Sequence, residues 1–180
     1  RIAGSKITNE YSSPLGLLSI VENSLVPLRH APGLSLQVTQ EPPPQIGIFT
    51  DSDAMMAINQ NTGDISSFSF LDYVTSALAY HLNKPNKVLV LGAGAGSEVL
   101  QARYHGVTQI DAVEVNPQII NLIRNNYAQY SGNIYDSDGT RVHIAEARGF
   151  VTGTSNSYGL IQLALLDAFN ASSAGLYALN

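Results

Sequence analysis

The sequence predicts an α/β fold: a parallel, doubly wound sheet behind a small β-rich N-terminal portion. Three observations carry that reading. Lys87-Val88-Leu89-Val90-Leu91 is a branched apolar run that enters a loop with glycine at every second position, Gly92, Gly94 and Gly96. A helix-length segment then leads to a second apolar run, Gln109-Ile110-Asp111-Ala112-Val113-Glu114, which ends on an acid. Further strands and helices alternate after it, and that alternation implies parallel pairing.

Residues 1–66 form the expected β-rich domain and 67–180 the nucleoside-binding domain. In the first, Leu15 to Glu22 reads as a strand opened by Ser13-Pro14, and Leu34-Ser35-Leu36-Gln37-Val38 alternates as a half-buried strand does. Glu41-Pro42-Pro43-Pro44 excludes a central strand and marks a loop. Gln45 to Thr50 resumes as a strand, and Asp51 and Asp53 after it read as turn residues. In the second domain, Phe70, Leu71, Val74, Ala77, Leu78 and Leu82 follow helical spacing until Asn83-Lys84-Pro85-Asn86 breaks it. Asn116 as N-cap with Pro117 behind it predicts a helix to Tyr130. Arg141 to Glu146 and Tyr158 to Leu166 complete the strands, the last running into Asp167.

The chemistry concentrates at strand tips. Glycines let a ligand approach the backbone and tolerate positive φ. Glu114 lies 22 positions after Gly92, close to the ~20-residue spacing of an acid that takes ribose hydroxyls. The loop is G-x-G-x-G, and Ser97 stands where a dinucleotide loop wants its third glycine. The pattern therefore favours S-adenosylmethionine or a relative over NAD. Ligands of such sheets bind at the carboxyl ends of the strands, where Gly94, Glu114, Glu146 and Asp167 all fall.

Composition narrows the partners. A net charge of −5 with no basic run argues against nucleic acid and suits a cationic ligand. The absence of Cys excludes disulfides, thiol nucleophiles and thiolate metal sites. The four histidines show no metal-ligand spacing, so no metal is expected; His105 and His143 read as surface or packing residues. Tyr127, Tyr130 and Tyr135 suit packing more than a lid, and Arg148 receives no catalytic role. No apolar run is long enough to span a membrane. A cytoplasmic location is expected, and the start at Arg1 with few charges suggests a piece of a larger protein, whose other parts could include membrane segments.

These residues resemble the spermidine synthase family of aminopropyltransferases, a branch of the methyltransferase-type Rossmann-like fold. The likeness rests on Ser13 to Glu22, Phe70-Leu71-Asp72, the glycine loop, Val113-Glu114-Val115-Asn116, Ala145-Glu146-Ala147-Arg148, and Leu165-Leu166-Asp167-Ala168. It implies that Gly92, Ala93, Gly94, Gly96, Glu114 and Val115 hold the nucleoside of S-adenosylmethionine or its decarboxylated form. It implies that Glu146 and Ala147 meet the adenine, that Phe70 and Asp72 meet the substrate, and that the catalytic Asp167 orients and deprotonates an amine acceptor in polyamine biosynthesis. The sequence departs from the family's pattern: Ala95 replaces an Asp of the glycine loop, Phe70 a Tyr and Leu71 a His or Gln, while Gly159 follows Tyr158 where an acid is usual. The family's sheet also continues past its catalytic loop, so a truncated sheet and a homodimer through an exposed edge are expected. Two other readings follow from the departures: a methyltransferase using intact S-adenosylmethionine, and a non-catalytic nucleoside-binding or assembly domain.

Overall fold

The structure, a computed structural model, describes residues 3–164. Its first sheet is antiparallel in the order β1-β2-β3-β4: Ser5–Ser13 (β1), Gly16–Asn23 (β2), Gln45–Thr50 (β3) and Ala54–Asn59 (β4). Its second is wholly parallel, with Lys87–Leu91 (β5), Gln109–Glu114 (β6), Thr140–Ile144 (β7) and Leu160–Leu163 (β8) in the order β7-β6-β5-β8. The chain winds outward from β5 to β7, then returns to β5's other side through Ala147–Gly153 (α4). A crevice at this reversal, above the strands' carboxyl ends, is where doubly wound sheets bind ligands.

Strand alternation explains why the second sheet is buried on both faces. Val88 and Val90 join Ile110 and Ala112 in a large core that also takes Leu18, Ile20, Ile48 and Ile58 of the first sheet. Leu89, Leu91 and Val113 point the other way, under Ala147, Phe150 and Tyr158. That second face also buries the Asp111 carboxylate, 2% exposed, between Lys87 Nζ at 3.3 Å, His143 Nε2 at 2.8 Å and the Tyr158 hydroxyl at 3.0 Å. Burial raises its pKa, but the hydrogen bonds of His143, Tyr158 and Lys87 outweigh that and hold it below the usual 3.8.

Several local expectations are corrected. Residues 34–38 form turns with one isolated bridge, Leu34 to Val74, and Leu36 is fully exposed. The alternating pattern finds no ladder partner there. The predicted helix over 70–82 is two elements, a 3₁₀ helix Ile65–Tyr73 and an α-helix Ala77–Asn83 (α1). Between them, Tyr73 O accepts from Ser35 N, and Thr75 N donates to Gly33 O, so the backbone pairs sideways instead of continuing the helix. Leu78 and Leu82 are consequently exposed, and Ala77 and Tyr80 are the buried side. The helix from Pro117 is also shorter than expected: Pro117–Asn121 (α3) runs into one π turn, Leu122–Asn126. Two strands carried little apolar signal, the mostly exposed β1 and the Ala- and Met-rich β4. Asp51 and Ser52, both at positive φ, turn β3 into β4, as type I′ hairpins require. Among the described residues no helix is long and apolar enough to cross a membrane.

Replacing Asp111 with Asn should destabilise the chain by about 2 kcal/mol, less than a fully buried pair because Lys87 and His143 reach solvent. A lowered carboxylate stabilises above its unfolded pKa, so the deficit should shrink as pH falls toward and below 3.8. Urea unfolding at pH 7 and pH 3.5 measures both.

Candidate active site

A cavity of about 400 Å³ lies between the two sheets, above the reversal from β5 to β8, within the usual size range of small-molecule sites. The glycine loop and the tip of β6 make one wall, the β3–β4 hairpin with Met55 and Met56 another, and Phe70 and Leu71 of the 3₁₀ helix a third. Gln162, Leu163 and Ala164 close the β8 side. Two carboxylates line it, Glu98 and Glu114, and no lysine or arginine does among the described residues.

The loop's shape follows from its composition. Gly92, Gly94 and Gly96 all take positive φ, 76°, 50° and 92°, which L side chains rarely adopt. The amides of Gly92 and Ala93 both donate to Val113 O at the end of β6, at 2.9 and 3.0 Å. Glu114, 7% exposed, accepts from Gly94 N on Oε2 at 2.9 Å and from Asn116 N on Oε1 at 2.8 Å. A carboxylate oxygen has two acceptor positions, so each oxygen of this cavity-lining residue retains one beyond the bonds it accepts from Gly94 and Asn116. From behind, the buried Tyr135 hydroxyl donates between Ala93 O at 3.0 Å and Gly94 O at 2.7 Å. Burial first, then the nearby Glu114 and Glu98, push the Tyr135 phenol well above 10, so it stays a donor.

Ser97 opens the helix Ser97–Tyr104 (α2). Its hydroxyl accepts from Asn59 Nδ2 at 3.3 Å and reaches Ala57 O at 3.5 Å. The residue that spoils a dinucleotide loop therefore docks the first sheet against the second.

Of the residues singled out in the sequence, Gly92, Ala93, Gly94, Glu114, Val115 and Phe70 line the cavity together, as does Ala95. Gly96 sits behind it as the N-cap of α2, packed toward Ile134. Glu146 and Ala147 do not line it. Glu146 instead caps α4, accepting from Arg148 N at 2.9 Å and Gly149 N at 2.7 Å, and those bonds hold its carboxyl below 4.5. Asp72, expected to meet substrate, turns away from the cavity and faces His81 at 2.6 Å. Its place on the 3₁₀ helix, two residues past the cavity-lining Phe70, puts it on another side. Asp51 donates and accepts with the backbone of Leu17, a turn role. Asp167 lies outside the described residues.

Two features escaped sequence reasoning. Glu98 is a half-buried carboxyl of the cavity wall, raised by burial from 4.5 to about 7. An acid in the first turn of a helix reads as a solvated capping residue, and only the fold places it in the cavity wall. The other is a buried amide chain: Tyr80 OH donates to Gln162 Oε1 at 2.5 Å, Gln162 Nε2 to Gln101 Oε1 at 2.9 Å, and Gln101 Nε2 to Leu71 O at 3.0 Å.

A family model described as the spermine/spermidine synthase domain matches residues 71–179. The chain belongs to the spermine/spermidine synthase family. It is similar to the polyamine aminopropyltransferase of Sulfolobus acidocaldarius, 27% identical over 110 residues, which are 61% of this chain and 36% of that protein. A polyamine aminopropyltransferase of Clostridium perfringens is 28% identical over 127 residues, 69% of this chain and 43% of its own. The chain thus spans less than half the length of these relatives. In structure it is similar to the spermidine synthase from Thermotoga maritima, with a TM-score of 0.58, 18% identity, and coverage of 87% of this chain and 47% of that one. A spermidine synthase in complex with the transition-state analogue AdoDATO gives a TM-score of 0.56, 19% identity, and coverage of 88% and 47%. This family fold is the methyltransferase-type α/β architecture the sequence predicts.

For this spermine/spermidine synthase family chain, Glu98 gives a signed pH effect. Between pH 4.5 and about 7 the folded chain holds a proton that the unfolded chain has released, so this group's contribution falls as pH rises through that window and then levels off. Glu98→Gln should therefore gain stability over the unmodified chain, widening by at most about 3 kcal/mol from pH 4.5 to pH 8. Chemical unfolding across that range should show the widening; a constant difference would contradict the placement of Glu98.

Proposed function

We propose that the chain forms the donor-binding core of a transferase that moves an aminopropyl group from decarboxylated S-adenosylmethionine to a small amine, in polyamine synthesis. Glu114 carries this reading: a buried carboxylate at the tip of β6 that holds the glycine loop, lines the cavity and retains one acceptor position on each oxygen. A ribose cis-diol has the two donors that such a carboxylate accepts, and charge-assisted bonds are the stronger kind. The names of the curated relatives, polyamine aminopropyltransferases, and the analogue-bound spermidine synthase support the substrate class. So does a cavity with two acids and no lysine or arginine among its described lining, because both the sulfonium donor and the amine acceptor are cations.

The residue roles follow. Gly92, Ala93, Gly94, Gly96 and Val115 shape the backbone around the nucleoside, and Phe70 packs apolar surface against it. Glu146, beyond the tip of β7 and outside the cavity lining, keeps acceptor capacity past its two cap bonds and would meet the adenine amine where the nucleoside extends out of the cavity along the strand tips. An ammonium has no lone pair, so the acceptor must lose a proton before its nitrogen bonds the sulfonium-bound methylene carbon. As that N–C bond forms, the C–S bond breaks and methylthioadenosine departs with the electron pair. Asp167 is assigned the proton and the alignment of the amine.

Ala95 supports a second reading. Its methyl lines the cavity with no charge to repel the carboxylate of intact S-adenosylmethionine, which suits methyl transfer. Calorimetry with both donors and methylthioadenosine separates the two. Tighter binding of the decarboxylated donor or methylthioadenosine is expected. Preference for the intact donor would favour methyl transfer, and no binding of any would remove both readings. Glu114→Gln should weaken the bound nucleoside at least about 10-fold through a lost charge-assisted bond.

We further propose a homodimer through an exposed sheet edge, since unpaired edges invite pairing. Light scattering should give the mass of two chains; the mass of one would overturn it.

A further inference from the structure

The histidines that look scattered along the sequence are not scattered in space. Asp72 lies in the last turn of the 3₁₀ helix, His81 lies on α1, and His105 caps the C-terminus of α2. His81 Nε2 lies 2.6 Å from Asp72 Oδ1, and His105 Nε2 lies 3.6 Å from the same oxygen. One ligand atom from each residue falls within 4.8 Å of the others. We propose that Asp72, His81 and His105 form a binding site for a divalent transition-metal ion of the zinc type.

The His105 ring is the strongest observation. It is stacked on Tyr80, with centroids 4.6 Å apart and planes 7° apart, and its edge meets Tyr104 at 5.3 Å. This packing fixes the ring's direction. The side chain is only 11% exposed, yet its Nε2 is buried without a hydrogen-bond partner and faces the Asp72 carboxylate. Buried polar atoms are normally satisfied. The Asp72–His81 ion pair explains those two residues but leaves the His105 nitrogen with only a 3.6 Å approach to the same carboxylate, beyond hydrogen-bonding distance. A metal ion between the three would satisfy it.

The donor set selects the ion. Two imidazole nitrogens and one carboxylate oxygen suit zinc and its neighbours, whereas magnesium and calcium prefer oxygen alone. Tetrahedral zinc with ligands at about 2.0–2.1 Å places neighbouring donor atoms roughly 3.3 Å apart. The observed 2.6 and 3.6 Å straddle that spacing. His81 is 56% exposed, so its ring can pivot to open the shorter gap. Three protein ligands leave a fourth position to water.

None of the three residues lines the cavity, so the site is distinct from the proposed donor site. It joins the elements that carry cavity residues Phe70, Leu71 and Gln101, and a bound ion would clasp those helical elements together.

The test uses tag-free chain treated with chelator, titrated with Zn²⁺ by calorimetry and with Co²⁺ by visible absorption. One ion per chain is expected, with Co²⁺ d–d bands of a nitrogen- and oxygen-ligated site and no comparable binding of Mg²⁺. Asp72→Asn and His105→Gln should each weaken Zn²⁺ at least about 10-fold, while His143→Gln should not. Circular dichroism confirms that each variant is folded, and His81→Ala, at an exposed position, provides a variant whose folding is least at risk. Absence of Zn²⁺ binding, or binding that survives all three substitutions in the cluster, would overturn the site.

Discussion

The carboxylate of Glu114 accepts from the Gly94 amide on one oxygen and the Asn116 amide on the other, which ties the exits of β5 and β6 together. Without that tie the glycine loop would lose its link to this side chain, and its three residues at positive φ have great freedom in the unfolded chain. Tyr135 provides the opposite brace by holding the loop's carbonyls from behind. A flexible sequence is thereby held in one shape by a carboxylate in front and a phenol at the back. The loop amide and the acid that would meet a ligand are fixed relative to each other, and such preorganisation reduces the ordering cost of binding.

The second dependence is between sheets. The cavity takes walls from both, so its width is set by how the antiparallel sheet seats on α2. Ser97 and Asn59 form that seat with side-chain hydrogen bonds, and Ile20, Ile48 and Ile58 share the core with Val88 and Val90. Glu98, one residue beyond Ser97, is enclosed by the same docking. Its elevated pKa follows from burial in that cavity wall, against which its own backbone hydrogen bond acts in the lowering direction.

The parallel sheet was legible because its signal is strong and local. Lys87–Leu91 and Gln109–Glu114 are continuous apolar runs punctuated by glycine and an acid, and the observed strands occupy those residues. The grouping of the loop with Glu114 was legible through spacing. What failed depends on partners remote in sequence. Leu34 to Val38 alternates correctly but has no strand beside it, whereas β1 alternates poorly and still pairs along its length with β2. The break at Val74 comes from hydrogen bonds to residues 33–35, which no helical periodicity contains. Glu98, and the gathering of Asp72, His81 and His105, are products of tertiary packing for the same reason.

The strand order has a consequence for how the chain assembles. β5 meets β6 on one side after a short helical crossover, but Val88 finds Leu160 on the other only after β6, β7 and α4 have intervened. Closing so long a loop costs entropy before any contact repays it. The β5–β6 pair and its glycine turn therefore close at a lower entropic cost than the β8 wall. Gln162, Tyr80 and Gln101 join across that long separation, so among the described strands the β8 side of the crevice rests on the contacts most distant in sequence.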